Sequence, residues 1–183
     1  DLSQTLMLGS GIIHSRYILQ GTPVEVKTVC HPERDLIAAR VSAGQPMPIK
    51  LHFPYPTGVH ADDACDWNSD SKHSTSLVSK RNNLAVFKRT LDATTYYVVV
   101  QWQGDVAIVR KSENYFVLTP EKGDFAFSCE FLPSFPTTFA DHTLPSFKET
   151  AEASATEWAR FWNEGGIVDF SLCTDPRAPE LER

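Results

Sequence analysis

No block of Lys and Arg interrupts this chain, no apolar run approaches the thickness of a bilayer, and no two cysteines stand close enough to form a metal or redox pair. The first absence weighs against nucleic acid. Seventeen basic against twenty-three acidic residues leave a net charge of -6, and a field of that sign opposes the phosphate neutralisation on which nucleic-acid affinity rests. The second weighs against a membrane helix: the longest apolar run, YYVVV at 96–100, is far short of the roughly 20 residues a span needs. The amino end, DLSQT, has neither the basic nor the apolar part of an export leader. It also lacks a starting Met, so we expect residues upstream of Asp1, and a cleaved export signal stays open. Cys30, Cys65, Cys129 and Cys173 form no CxxC, which excludes a zinc ribbon and a thioredoxin-like motif. Cys30 and Cys129 lie in strand-like runs, where a buried inert thiol is the common state. Neither HExxH nor the alternating acids of an EF-hand occurs, and no cofactor motif does.

What is present, from about residue 10 to 132, is a series of short runs rich in Val, Ile, Phe and Tyr, broken by Gly, Pro, Asn and Asp. Strands are expected near SGIIHSRYIL, PVEVKTVC, LIAARVSA, MPIKLHF, LAVFKRTL, TTYYVVVQW, VAIVRK, NYFVLT and GDFAFSCEFL. In PVEVKTVC the apolar Val24 and Val26 alternate with Glu25 and Lys27, so one face is buried and the other wet. The expected fold class is mainly β: a two-sheet antiparallel β-sandwich with a C-terminal linker helix. QGD at 103–105 reads as a tight hairpin connection between the strands that end at Trp102 and begin at Val106.

Two stretches break the strand pattern. Residues 54–75 hold Pro, Gly, Asp, Asn and Ser without periodicity, and an insertion of that length in a compact domain often carries function. After residue 140 the period becomes helical. Ser146 and Glu149 fit a capping box, Phe147, Ala151, Ala155, Trp158 and Trp162 follow at helical spacing, and Gly165-Gly166 stops the run. A short apolar piece, GIVDFSL, leads to APELER, where Pro179 suits a first helical position and Glu180 and Glu182 suit a helix amino end. That helix begins and the chain stops, so a cut from something longer is expected. The expected division is 1–140 for the sandwich and 141–183 for the linker helix and the start of a further unit.

The closing WARFWNEGGIVDFSLCTDPRAPELER resembles the link between the two parts of a bacterial glycoside hydrolase family related to the trehalase, maltose phosphorylase and fucosidase groups. TPVEVKTVCHPERDLIAARV, GVHADDACDWN, KHST and RTLDATTYYVVVQW are similar to that family's amino-terminal sandwich, the supersandwich. The resemblance implies that a helix joins this sandwich to a catalytic (α/α)6 barrel, that APELER opens the first barrel helix, and that the barrel with its catalytic glutamate lies outside these residues. It implies a carbohydrate partner and a periplasmic or extracellular location, with hydrolase and phosphorylase parents both open. No catalytic residue is assigned here: inverting hydrolysis needs two carboxyls about 6.5–9.5 Å apart across the sugar, and no pair can be given that separation from spacing.

The loop HADDACDWNSDSKH (60–73) supplies the candidate site. The first reading is that Asp62, Asp63, Asp66 and Asn68 bond local backbone amides in turns. The second is a sugar-contacting loop on a rigid scaffold, in which Trp67 stacks on a sugar face, Asp66 and Asn68 bond hydroxyls, and His73 orients the loop. A metal held by His60, Asp62, Asp66 and His73 has permissible ligand types but no recognised spacing, so no metal is expected. Trp102, alternating with Val98 and Val100, is expected in the core, and Trp158 and Trp162 on one helical stripe buried against the sandwich or the barrel. Arg89, Asp92 and Tyr96 could form a buried polar contact at a strand end. The expected function is a non-catalytic domain of a carbohydrate-active enzyme. The rivals are a free-standing carbohydrate-binding module, and a mutarotase-like enzyme using His60 or His73 with Asp66.

Overall fold

The computed structural model describes residues 2–60, 64–136, 139, 141–165 and 170–181. Asp62, Asp63, Glu182 and the first part of GIVDFSL lie outside them. The described chain is mainly β: an eight-stranded antiparallel sheet, a three-stranded sheet, a two-stranded ladder, one long helix and a terminal helical turn.

The strands are β1 (Leu2–Met7), β2 (Ile12–Leu19), β3 (Thr22–Cys30), β4 (Leu36–Ala43), β5 (Ile49–His52), β6 (Tyr55–Pro56), β7 (Cys65–Asp66), β8 (His73–Arg81), β9 (Leu84–Leu91), β10 (Thr94–Trp102), β11 (Val106–Ser112), β12 (Tyr115–Pro120) and β13 (Asp124–Leu132). The large sheet runs β1-β2-β3-β4-β13-β10-β9-β8, the small one β11-β12-β5, and β6 pairs with β7.

β10 explains why YYVVV is apolar without interruption. Val98, Val100 and Trp102 point to one face, where they pack with Phe87, Phe125, Phe116 and Leu118 of the core between the two sheets. Val99 points to the other face, where Val29, Leu36, Ala38, Leu84 and Val86 meet Leu144, with Phe147 of the long helix packed against them. A strand covered on both faces needs apolar residues at every position. Trp102 is in the core, as its alternation with Val98 and Val100 implied.

The connection Gln103–Asp105 is not a hairpin turn. β10 is already flanked by β9 and β13, so the chain crosses from the large sheet into β11 of the small one. Gly104 takes φ 77° there, a conformation that costs glycine little. α1 (Phe147–Glu164) opens on Ser146, whose hydroxyl accepts from the Glu149 N–H while the Glu149 carboxylate accepts from the Ser146 N–H. The helix lies against β3, β4 and β13. Trp158 meets Gly11, and the Trp162 indole Nε1 donates to the Leu8 carbonyl at 2.7 Å, so this aromatic stripe seats the helix on the loop between β1 and β2. A buried Glu130 holds the preceding segment. It accepts from Arg34 Nε at 2.7 Å and lies 3.1 Å from His142 Nε2. The four cysteines are free, and Cys30 is exposed rather than buried, because β3 ends there; burial pushes the Cys129 thiol up to about 12. α2 (Ala178–Leu181) is a single turn.

Candidate functional site

The described residues of 54–75 form more regular structure than their composition implies. They contain the β6–β7 ladder, a 3-10 turn at Asp70–Lys72, and the first residues of β8. His73 therefore belongs to a strand, paired with Leu91, and not to the loop.

Beneath the loop lies Arg89 of β9, only 1% exposed. Its Nη1 is within hydrogen-bond reach of three acceptors: Thr75 Oγ1 at 2.7 Å, His73 Nδ1 at 2.8 Å and Asn114 Oδ1 at 3.1 Å. Nε donates to the Tyr96 hydroxyl at 3.2 Å and Nη2 to the Pro54 carbonyl at 3.3 Å. The guanidinium also lies over the Phe53 ring, 4.9 Å from its centroid. Asn114 extends this network, its amide donating to the Asp70 carbonyl at 3.1 Å, while Thr75 Oγ1 donates to Asn114 Oδ1 at 2.8 Å. One buried cation thus ties together both ends of the loop, through Pro54 and His73, and its 3-10 turn through Asn114. Arg89 meets Tyr96 as expected, but Asp92 is directed elsewhere and accepts from the Tyr55 hydroxyl at 3.2 Å. That carboxylate pushes the Tyr55 phenol up.

Guanidinium only donates, so His73 Nδ1 must accept and the ring must be neutral. Burial, and then the Arg89 cation, hold the His73 pKa below its ordinary value. The same contact argues against a metal on His73, since a second cation beside Arg89 would be repelled. Asp66 is likewise committed locally: its carboxylate accepts from the Ser69 hydroxyl and from the Asn68 N–H at 2.9 Å, which in that order hold it below the usual carboxylate range. This is the turn-forming role that Asp and Asn were given first.

Trp67 stands apart from this network. It is 50% exposed, and its ring lies 4.8 Å from that of His52, which in turn lies 5.2 Å from Tyr115. β5 and β12 pair His52 with Tyr115, so a sheet fixes the two rings behind Trp67. Asn68 is exposed beside it. On the far side of the 3-10 turn an open hollow of about 640 Å³ is lined by Asp70, Lys72, His73, Thr90, Asp92 and Glu113. The loop therefore has a pinned underside and a presented aromatic edge. Of the four candidates, Trp67 and Asn68 face outward, Asp66 shapes the turn between them, and His73 lies in the anchor.

Asn114 and Thr75, both fully buried, carried no sequence signal, because a lone Asn beside a strand and a Thr in a strand are ordinary. Nor did the two imidazole–carboxylate pairs, His14 with Glu25 at 3.2 Å and His142 with Glu130 at 3.1 Å. Neither suits proton exchange with a sugar. Glu25 is also bonded to Lys27, which lowers its pKa, and Glu130 is closed over by Arg34.

No protein-family model matches the chain, and no curated protein does. Among solved structures, a presumed kojibiose phosphorylase from the human microbiome shares the fold, with a TM-score of 0.58 at 11% sequence identity. The match covers 88% of this chain and 25% of that one, so the chain spans about a quarter of the neighbour's length.

Proposed function

We propose that this chain is a non-catalytic amino-terminal domain of a carbohydrate-active enzyme, a glycoside hydrolase or phosphorylase. In this reading residues 1–140 form the sandwich, 141–183 link it to a catalytic (α/α)6 barrel, and the 54–72 loop offers Trp67, Asp66 and Asn68 to the sugar while His73 steadies it. The observation that carries the reading is the shared fold, which takes in most of this chain but a quarter of the larger phosphorylase. The fixed loop with an exposed indole is consistent with it, since function often sits on loops held by a rigid scaffold. A periplasmic or extracellular location belongs to the same proposal, and fractionation of the source cells tests it.

Assay of the chain on aryl glycosides and on disaccharides, kojibiose included, with and without phosphate, is expected to show no turnover. Robust turnover abolished by a substitution within this chain would refute the reading. The backing of Trp67 by His52 and Tyr115 favours a second reading, a binding module acting on its own. Calorimetric titration with oligosaccharides separates the two. Affinity that disappears in Trp67→Ala supports the module, and its absence leaves sugar contact to the assembled enzyme.

A further inference from the structure

Among the described residues, β1 is an unprotected edge of the large sheet. Native edge strands are usually blunted by a charge, a proline or a bulge. The opposite edge, β8, has all but the proline: Lys80, Arg81 and a register shift between Leu77 and Ser79. β1 has none of these. Its sequence, LSQTLM, is uncharged, its six residues are exposed, and its register with β2 is unbroken from Leu2↔Tyr17 to Met7↔Ile12. Alternate residues of an edge strand leave their N–H and C=O groups without a ladder partner on the free side.

What selects the occupant is the side-chain pattern. Leu2-Ser3-Gln4-Thr5-Leu6 has the same chemistry read in either direction: Leu, hydroxyl, amide, hydroxyl, Leu. A two-fold axis through Gln4 sets Leu2 against Leu6 of the partner subunit, and again in reverse. Ser3 then stands against the partner's Thr5, also twice, and the two Gln4 residues face each other on the axis, each with its amide donating to Ser15 Oγ of its own chain at 3.0 Å. No charge opposes a like charge. Within each copy, Leu2 continues the cross-strand row Tyr17–Val24–Ala43, and Leu6 the row Ile13–Thr28–Ala39. Both rows end at the edge with their leucines uncovered, at 76% and 53% exposure. An antiparallel second copy would carry the two apolar rows across the junction.

We propose that this chain binds a second copy of itself through β1, antiparallel and centred on Gln4, so that the large sheet runs unbroken through both copies. This interface is independent of any sugar site. An unrelated strand would gain the same backbone bonds from an open edge, but it would not find its own side-chain order repeated.

Sedimentation equilibrium of the full chain across a dilution series is expected to show a monomer–dimer equilibrium. Gln4→Lys places two ammonium groups opposite each other on the axis and should weaken dimerisation about fivefold or more. Register is tested separately with Gln4→Cys in a chain carrying Cys30→Ser, Cys65→Ser and Cys173→Ser. Residues facing each other across antiparallel strands have Cα atoms about 4.5–5.5 Å apart, within disulfide range. Gln4→Cys should therefore cross-link to a dimer under mild oxidation, whereas Ser3→Cys, which faces the partner's Thr5, should not. A chain that stays monomeric throughout would overturn the proposal. So would a dimer indifferent to Gln4→Lys, or one that cross-links no faster through Gln4→Cys than through Ser3→Cys. If Gln4→Lys fails to fold, the cysteine pair decides.

Discussion

Replacing Arg89 by Met tests whether the loop is held by one buried cation. The side chain is 1% exposed and donates to acceptors on several segments, and Met keeps much of its apolar stem against Phe53 and Tyr96. Thr75 Oγ1 and Asn114 Oδ1 retain each other across 2.8 Å, and the Tyr96 hydroxyl sits on a half-buried ring, so these acceptors lose least. His73 Nδ1 and the Pro54 carbonyl lose the donor that the structure gives them. An unsatisfied buried acceptor costs about 1–3 kcal/mol, and with the Pro54 carbonyl only partly buried the loss for the pair is about 2–3 kcal/mol. Urea unfolding should show a lower midpoint with an unchanged slope, and limited proteolysis should begin within 54–72. Arg89→Lys, which keeps the charge but not the planar fork, should fall between the two. A change below about 0.5 kcal/mol, the range of an ordinary surface substitution, would refute the reasoning, because it would mean that the loop is held without the guanidinium.

The same anchor predicts a pH dependence. The folded His73 pKa is held below 6.5 by burial, by Arg89 and by His52, against the opposing pull of Asp70 and Asp66. The unfolded chain therefore takes up this proton first, so the stability linked to a neutral His73 is full above about 6.5 and is lost as pH falls from there through the lowered folded value. In His73→Gln, whose amide oxygen can accept from Arg89 without titrating, urea midpoints should fall less between pH 7 and pH 5 than in the parent, and an unchanged slope would refute the assignment. Gly11→Ala tests the seat of the helix. Gly11 has φ 67° and a Cβ there would collide with the Trp158 indole, so we expect a loss of about 2 kcal/mol or more and a shift in tryptophan emission; a neutral outcome would show that α1 does not depend on this contact.

The parts that were legible in the sequence are those in which one residue type does one job. Val98 and Val100 alternate with Val99 because β10 is buried on two faces, and Ser146 with Glu149 announces a helix start through a pair of local hydrogen bonds. The strands without a sequence signal are the two edges of the large sheet, β1 and β8, where one side has no neighbour among the described residues and selection for β-branched residues is weak, and the two-residue β6 and β7, which are too short to show a period. HSTSLVSKR carries little strand signal because a register shift interrupts its alternation and because its two buried residues, His73 and Thr75, are polar. The anchor was half legible. Arg89 with Tyr96 was visible from local spacing, but His73, Thr75 and Asn114 join it through strand pairing and long-range contacts that composition does not record.

The loop also shows why a dense run of potential ligands need not make a ligand site. Asp66 closes its own turn, His73 is turned under the loop toward a cation, and Asp70 is engaged by Asn114 and Ser112, so three of the side chains that suggested chemistry are used to fix the backbone. Among the described residues of the loop, the indole of Trp67 is not used in this way. An exposed aromatic ring loses little binding entropy if the backbone beneath it is already ordered, because few torsions are left to fix on contact. In the proposed reading, the acids and the buried arginine would bear on recognition through rigidity, and Trp67 through surface. If the loop contacts sugar as proposed, a substitution in the anchor should weaken that contact in proportion to the loop order it removes, whereas Trp67→Ala should remove it and leave that order intact.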